Sequence, residues 1–139
     1  MKIFHNEEIY IKTDNFSDSI FKENTMFFDI ETTGFSPVKA IVYMIGCARR
    51  IKNRIVIDQY FAEVPDDEAD IIAAFASELK SCDTLISFNG VGFDIPFLRS
   101  KYKKYKQNDP FSSVKLIDIF KELTPLKPLL NLENYKQKS

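Results

Sequence analysis

The chain has 139 residues, 45% of them hydrophobic, and a formal net charge of −1. That apolar content excludes wholesale disorder, and the length suits one packed domain rather than two. No apolar run reaches the length of a membrane span, and residues 1–8 lack the basic-then-apolar pattern of a secretory signal, so the expectation is a soluble cytoplasmic protein with no membrane partner.

The charge is unevenly spread. Residues 1–98 carry 9 Lys and Arg against 16 Asp and Glu, while residues 99–139 carry 10 against 4. An acidic part beside a basic part suits a metal site next to a polyanion track, and equally an ordinary uneven surface. Cys47 and Cys82 lie far apart within apolar segments and read as small buried thiols.

Residues 1–24 read as a lead-in to a domain over 25–139. Within the lead-in, residues 8–12 alternate like a short strand and residues 15–22 suit a helical turn or two. His5, the single histidine, sits in this polar stretch and has no catalytic assignment. The first strong strand is 26–31. Its alternation places Asp29 and Glu31 on one face and Ile30 on the other, and the strand ends in the turn 32–37. Carboxylates so placed are costly to bury unless a cation meets them, and a divalent metal is the simplest candidate.

Residues 41–50 and 53–63 form the next two strands, joined by a Lys52-Asn53 hairpin turn. Asp58 is expected to face solvent from the third strand. A helix opens at Pro65-Asp66-Asp67-Glu68, with acids suited to the positive end of its dipole, and Ile71, Ile72, Phe75 and Leu79 mark its apolar face. A buried strand at 84–88 leads through the loop 89–92 into a helix opened by Asp94, where Asp94 is a good cap and Pro96 is tolerated in the first turn. Val114 begins a fifth strand, and a helical piece from Ile119 meets Pro125 and Pro128. Three strands with short turns predict an antiparallel meander, and the later strands add in parallel through helical crossovers, giving an α/β mixed sheet with helices on both faces.

The stretch from Phe88 to Leu98 places an acid where a buried strand passes through a glycine loop into a helix. Open sheets commonly build sites at such strand ends. Asp29-Ile30-Glu31-Thr32-Thr33-Gly34 resembles the first motif of the DEDD 3′–5′ exonucleases of the ribonuclease H-like superfamily. Asn89-Gly-Val-Gly-Phe93-Asp94-Ile-Pro-Phe-Leu98 resembles the second, in the form seen in the proofreading domains of family B polymerases. Within the superfamily the pattern most resembles the YprB-like ribonuclease H-like domain of bacteria, where these blocks and a Tyr-x-Ile-Gly strand (Tyr43-Met44-Ile45-Gly46) recur in this order. The resemblance covers most of residues 25–130.

The resemblance implies a hydrolase that cleaves phosphodiester bonds of single-stranded DNA or RNA from a 3′ end, with two divalent cations, Mg²⁺ or Mn²⁺, about 4 Å apart. Asp29 would be the central ligand, Glu31 would hold one ion, and Asp94 the second; hard oxygen ligands suit such ions. Thr32, Thr33 and Gly34 would pass close to the terminal nucleotide, and Asn89 and Phe93 would shape the pocket, Phe93 by stacking on a base or by filling the core. Lys101 and Lys104, in the basic run from Arg99 to Lys106, are candidate phosphate contacts, against the alternative of a solvated helix face.

The family also has a fourth carboxylate, in a His-x-x-x-Asp or Tyr-x-x-x-Asp setting on a late helix. Tyr105 and Asp109 have that spacing but come only fifteen positions after Asp94, so they read as a decoy. Asp118 resembles a non-ligand acid of relatives and is a possible accessory. The chain reads as stopping before the third motif and its helix. The alternatives are therefore a catalytically impaired nucleic-acid-binding module, or a protein-interaction module completed by a second chain.

Overall fold

A computed structural model of the chain describes residues 1–9, 22–88 and 90–119. Six strands form one sheet: β1 (Lys2–Ile9), β2 (Thr25–Thr32), β3 (Val42–Ile51), β4 (Arg54–Phe61), β5 (Thr84–Ser87) and β6 (Lys115–Asp118), in the order β1-β4-β3-β2-β5-β6. β2, β3 and β4 are the antiparallel meander, while β5 and β6 run parallel to β2. The hairpin between β3 and β4 is the expected two-residue turn, with Ile51 paired to Arg54 and Lys52 in the left-handed region at φ 56°.

The lead-in differs from expectation. Residues 2–9 form a full strand, antiparallel to β4 along its whole length. Every residue of β1 is exposed, its apolar Ile3, Phe4 and Ile9 included, so the backbone ladder with β4 rather than burial recruits it. The helical turns expected over 15–22, and the piece beyond Ile119, lie outside the described residues.

Two helices follow the meander: α1 (Glu68–Leu79), preceded by a 3-10 turn at Pro65–Asp67, and α2 (Asp94–Lys104). Ile71, Ile72, Phe75 and Leu79 of α1 and Ile95, Leu98 and Tyr102 of α2 join Phe28, Ile30, Ile45 and Cys47 in one buried core. Each such fully buried apolar side chain contributes about 1.5–3 kcal/mol. Phe75 lies 5.3 Å from Phe28 between ring centroids, and the Tyr102 hydroxyl donates to the Ile72 carbonyl at 2.6 Å, tying the helices together. Among the described residues both helices pack into this one core on the inner face of the sheet. No helix among the described residues is long and apolar enough to cross a membrane. Cys47 is a buried free thiol and Cys82 a half-buried one.

Asp58 is a correction. It is 7% exposed and shares the inner face of β4 with Val56 and Tyr60. Tertiary partners outweigh its preference for water. The His5 Nδ1 lies 2.5 Å from its carboxylate across the β1–β4 ladder, and Glu78 of α1 meets it from the helix layer. Glu78 in turn accepts from the Tyr60 hydroxyl at 2.5 Å and pairs with the Arg49 Nε at 2.8 Å.

Candidate active site

β2 supplies the first wall. Phe28 and Ile30 are each 6% exposed on the inner face, which leaves Asp29 half-buried and Glu31 exposed on the other. Gly46 stands opposite Asp29 in the β2–β3 ladder, so no side chain from β3 covers that position. The register breaks between Glu31 and Thr32, where a bulge ends regular pairing and starts the loop 33–41. The loop closes on itself. The Thr33 N–H donates to the Ile41 carbonyl at 3.0 Å, and the Ile41 N–H donates to the Thr33 hydroxyl oxygen at 2.9 Å. The Thr32 hydroxyl donates to the Gly34 carbonyl at 2.7 Å. Both threonine hydroxyls therefore shape the turn that carries Phe35.

α2 supplies the second wall. Asp94 is its first residue rather than its cap, a place taken by Phe93. The Asp94 side chain is 5% exposed and accepts a hydrogen bond from the Ile30 N–H, which joins the two acid-bearing elements directly. Burial, first, and then the negative charge of Asp29 raise its pKa from 3.8 to about 7, with Glu31 and Asp118 adding to the effect. The loop before α2 turns tightly at buried Gly90, whose carbonyl accepts from the Ile95 N–H at 2.8 Å.

Residues 29–35, Phe93 and Asp94 line an open cleft of about 270 Å³. The structure thus brings Asp29, Glu31, Asp94, Thr32, Thr33, Gly34 and Phe93 together at one place. Phe93 packs on Phe97 at 5.5 Å at the margin of the core and also lines the cleft. Asn89 lies outside the described residues. Asp118 ends β6, is 4% exposed and accepts from the Val91 N–H at 3.3 Å, so it braces the loop leading to Asp94 without lining the cleft. Asp109 pairs with Arg99 at 3.0 Å and caps the next turn through the Phe111 N–H at 2.8 Å, in keeping with its reading as a decoy.

The basic run does not form one track. Lys101 is 1% exposed, and its Nζ donates to the Ala40 carbonyl at 2.6 Å and lies 3.2 Å from the Glu68 carboxylate. Its expected role as a phosphate contact is therefore corrected: the ammonium is spent inside the protein. Lys104 is exposed but sits over the Tyr105 ring at 5.1 Å, away from the cleft lining.

Two features had no assignment in the sequence. Phe35 is 83% exposed, lines the cleft, and meets Phe93 edge-on at 6.1 Å. An aromatic placed directly after Gly34 in a polar turn was its visible signal. Glu68 reads in the sequence as an ordinary first-turn acid, yet it is fully buried, and no local signal gives its partners away.

Three carboxylates on one cleft, with no Lys or Arg in its lining, form a donor set suited in charge and hardness to a divalent cation. Among the described residues, however, no three acids, histidines or cysteines already stand at the mutual spacing of a metal centre.

The family description for the RNase H superfamily matches residues 26–139. A relative from Bacillus subtilis (strain 168), the uncharacterized protein YprB, is 29% identical over 90 residues, which are 64% of this chain and 22% of that protein. The chain thus spans under a quarter of that relative's length. Among solved structures, apo exonuclease I is similar with a TM-score of 0.54 at 20% identity, over 79% of this chain and 31% of that one. The zinc ion bound form of an E. coli exonuclease I–ssDNA complex is similar with a TM-score of 0.51 at 20% identity, over 75% and 30%. These likenesses show the fold.

Proposed function

The chain belongs to the RNase H superfamily, and from that premise we propose that it is a divalent-metal-dependent nuclease domain, acting as a 3′–5′ exonuclease on single strands. The observation that carries this reading is the meeting of Asp29, Glu31 and Asp94, from two separate elements, on one cleft. Asp94 supports it further. A carboxyl that burial and like charge hold near neutral pH is costly as an anion there, and a nearby cation reverses that cost. The fold is similar to that of an exonuclease solved with zinc and ssDNA, which supports the same reading.

Asp29 and Glu31 would hold one ion, and Asp29 with Asp94 the second. Bound Mg²⁺ or Mn²⁺ would supply an activated water and would stabilise the leaving 3′ oxygen. The protein's own part is orientation. The Ile30 N–H fixes the Asp94 carboxylate, and the closed turn at 32–34 lets the backbone approach a terminal nucleotide. Phe35, exposed beside Phe93, offers a face for the terminal base. Lys104 and its exposed neighbours Lys103 and Lys106 would act at longer range on the phosphate chain.

A second reading rests on the aromatic pair Phe35 and Phe93 at the cleft: the domain would hold a single strand there without cleaving it. One experiment separates the two. 5′-labelled DNA and RNA single strands are incubated with the protein and Mn²⁺, beside Asp29→Ala. Stepwise shortening that is abolished in Asp29→Ala supports the nuclease. Salt-sensitive binding without shortening leaves the binding module, and shortening that survives in Asp29→Ala would show a contaminant.

A further inference from the structure

The ion pair between Glu68 and Lys101 is the most deeply buried charged pair among the described residues, at 0% and 1% side-chain exposure. Its network is complete. Glu68 Oε1 faces the Lys101 ammonium at 3.2 Å and accepts from the Tyr105 hydroxyl at 2.5 Å, and Oε2 accepts from the Val42 N–H at 2.6 Å. The ammonium also donates to the Ala40 carbonyl at 2.6 Å. Burial and the Glu68 charge push the Tyr105 hydroxyl up to about 12, so it stays a donor at working pH.

The location matters more than the energy. A satisfied buried ion pair is often no more stabilising than apolar residues of the same volume, so its presence calls for a role in specifying geometry. Ala40 and Val42 flank Ile41, the residue that closes the loop 33–41 onto Thr33. Lys101 stands seven positions after Asp94 on α2, two turns along, so both residues lie on one face of the helix. One helix face therefore carries the cleft acid at its start and this clamp near its end. The clamp grips the return limb of the loop whose outbound limb, with Thr33, Gly34 and Phe35, lines the cleft.

We propose that Glu68 and Lys101 are positioning residues, which lock the loop 33–41 to α2 and so set the distance between its cleft-lining limb and Asp94. The consequence for cleavage rests on the nuclease reading above; the consequence for the loop does not. Removing one partner strands the other charge in the core and tests stability alone, so the informative variant is Lys101→Met combined with Glu68→Gln, which is neutral and close in volume.

The experiment measures amide hydrogen exchange and kinetics on the full chain. The expected result is a folded variant in which protection at Thr33 and Ile41 falls at least tenfold, while Ile45, Ala48 and Ile57 in β3 and β4 keep theirs. With Mn²⁺ and a labelled single strand, KM rises about tenfold while kcat changes less. A folded variant with unchanged protection at Thr33 and Ile41 overturns the proposal, and so does a uniform loss across β3 and β4. If the double variant does not fold, Tyr105→Phe removes one hydroxyl from Glu68 and is held to the same comparison, with a loss of about threefold confined to the loop. Absence of cleavage by the unsubstituted chain would count against the nuclease reading, while the exchange result still decides the clamp.

Discussion

The Asp94 carboxylate accepts a hydrogen bond from the backbone N–H of Ile30, the residue that separates Asp29 from Glu31. Ile30 points into the core, so its amide is held by packing as well as by the sheet, and Asp94 is fixed relative to both acids of β2. Asp94→Asn keeps an oxygen acceptor for that N–H and removes the charge. In the absence of metal the variant is expected to melt at or above the parent temperature, because a buried carboxylate near Asp29 has been replaced by a neutral group. Its Mn²⁺ affinity is expected to fall about tenfold or more, and its cleavage about a hundredfold or more. Calorimetric titration with Mn²⁺ beside a melting curve checks both; a destabilised variant with normal Mn²⁺ affinity would contradict the assignment.

Phe35 separates binding from stability. At 83% exposure it contributes little to the fold, so Phe35→Ala should shift stability by no more than about 0.5 kcal/mol. If its ring carries the terminal base, loss of stacking costs about 1–3 kcal/mol, roughly a 5- to 160-fold weaker affinity for a single strand. Fluorescence anisotropy of a labelled oligonucleotide in Ca²⁺ reads this without cleavage. Unchanged affinity would remove Phe35 from the substrate path.

The cluster on the inner face of β4 makes stability depend on pH. Hydrogen bonds to Asp58 and then Glu7 raise the His5 pKa above its ordinary 6.5, and burial raises Glu78 above 4.5. Both groups hold protons more tightly in the folded state than in the unfolded one. The sign is therefore the same for both: stability is full at low pH, begins to fall above about 4.5 as Glu78 titrates, and falls further above 6.5 as His5 loses its proton. Other carboxylates oppose this at the acid end; Asp67, bonded to the N-terminal ammonium, has a lowered pKa and loses its contribution as pH falls. Melting temperatures across pH 5 to 8 should decline for the parent chain, and His5→Gln should flatten the upper part of that decline. An unchanged slope in His5→Gln would show that the His5–Asp58 contact does not persist in solution.

The same cluster shows where sequence reading stops. Alternation along β2 was enough to place Asp29 and Glu31 opposite Ile30, because strand periodicity is a local property. The glycine loop into α2 was likewise visible, and with it the Asp94 position. Asp58 was misread because a charge in a strand faces water unless distant residues meet it. Here they come from β1, 53 positions away, and from α1. Lys101 was misread for the same reason: lysine belongs on the surface by default, and its partners Ala40 and Glu68 are brought to it only by the fold. β1 itself is held by backbone pairing with an exposed face, which leaves no hydrophobic pattern to read.

The requirement for glycine at position 90 is steric. No glycine among the described residues has a positive φ, so an alanine at position 90 would adopt the backbone without strain. Its Cβ, however, would lie 2.4 Å from both Cβ and Oγ of Ser87, the buried last residue of β5. Either the loop or the strand end must move, and forced overpacking of this kind costs about 1–3 kcal/mol. The Gly90 carbonyl holds the Ile95 N–H in the first turn of α2, so a displacement of Gly90 passes to Asp94. Gly90→Ala is therefore expected to lower the melting temperature by several degrees and to reduce Mn²⁺ affinity. The clash is with Ser87 rather than with its hydroxyl alone, so Ser87→Ala does not relieve it, whereas Ser87→Gly does. The next atom the new methyl meets, Phe28 Cε1, is at an ordinary 3.6 Å. Ser87→Gly combined with Gly90→Ala should then recover Mn²⁺ affinity relative to Gly90→Ala alone. Affinity that stays low in the pair would mean that position 90 acts on Asp94 by some route other than this contact.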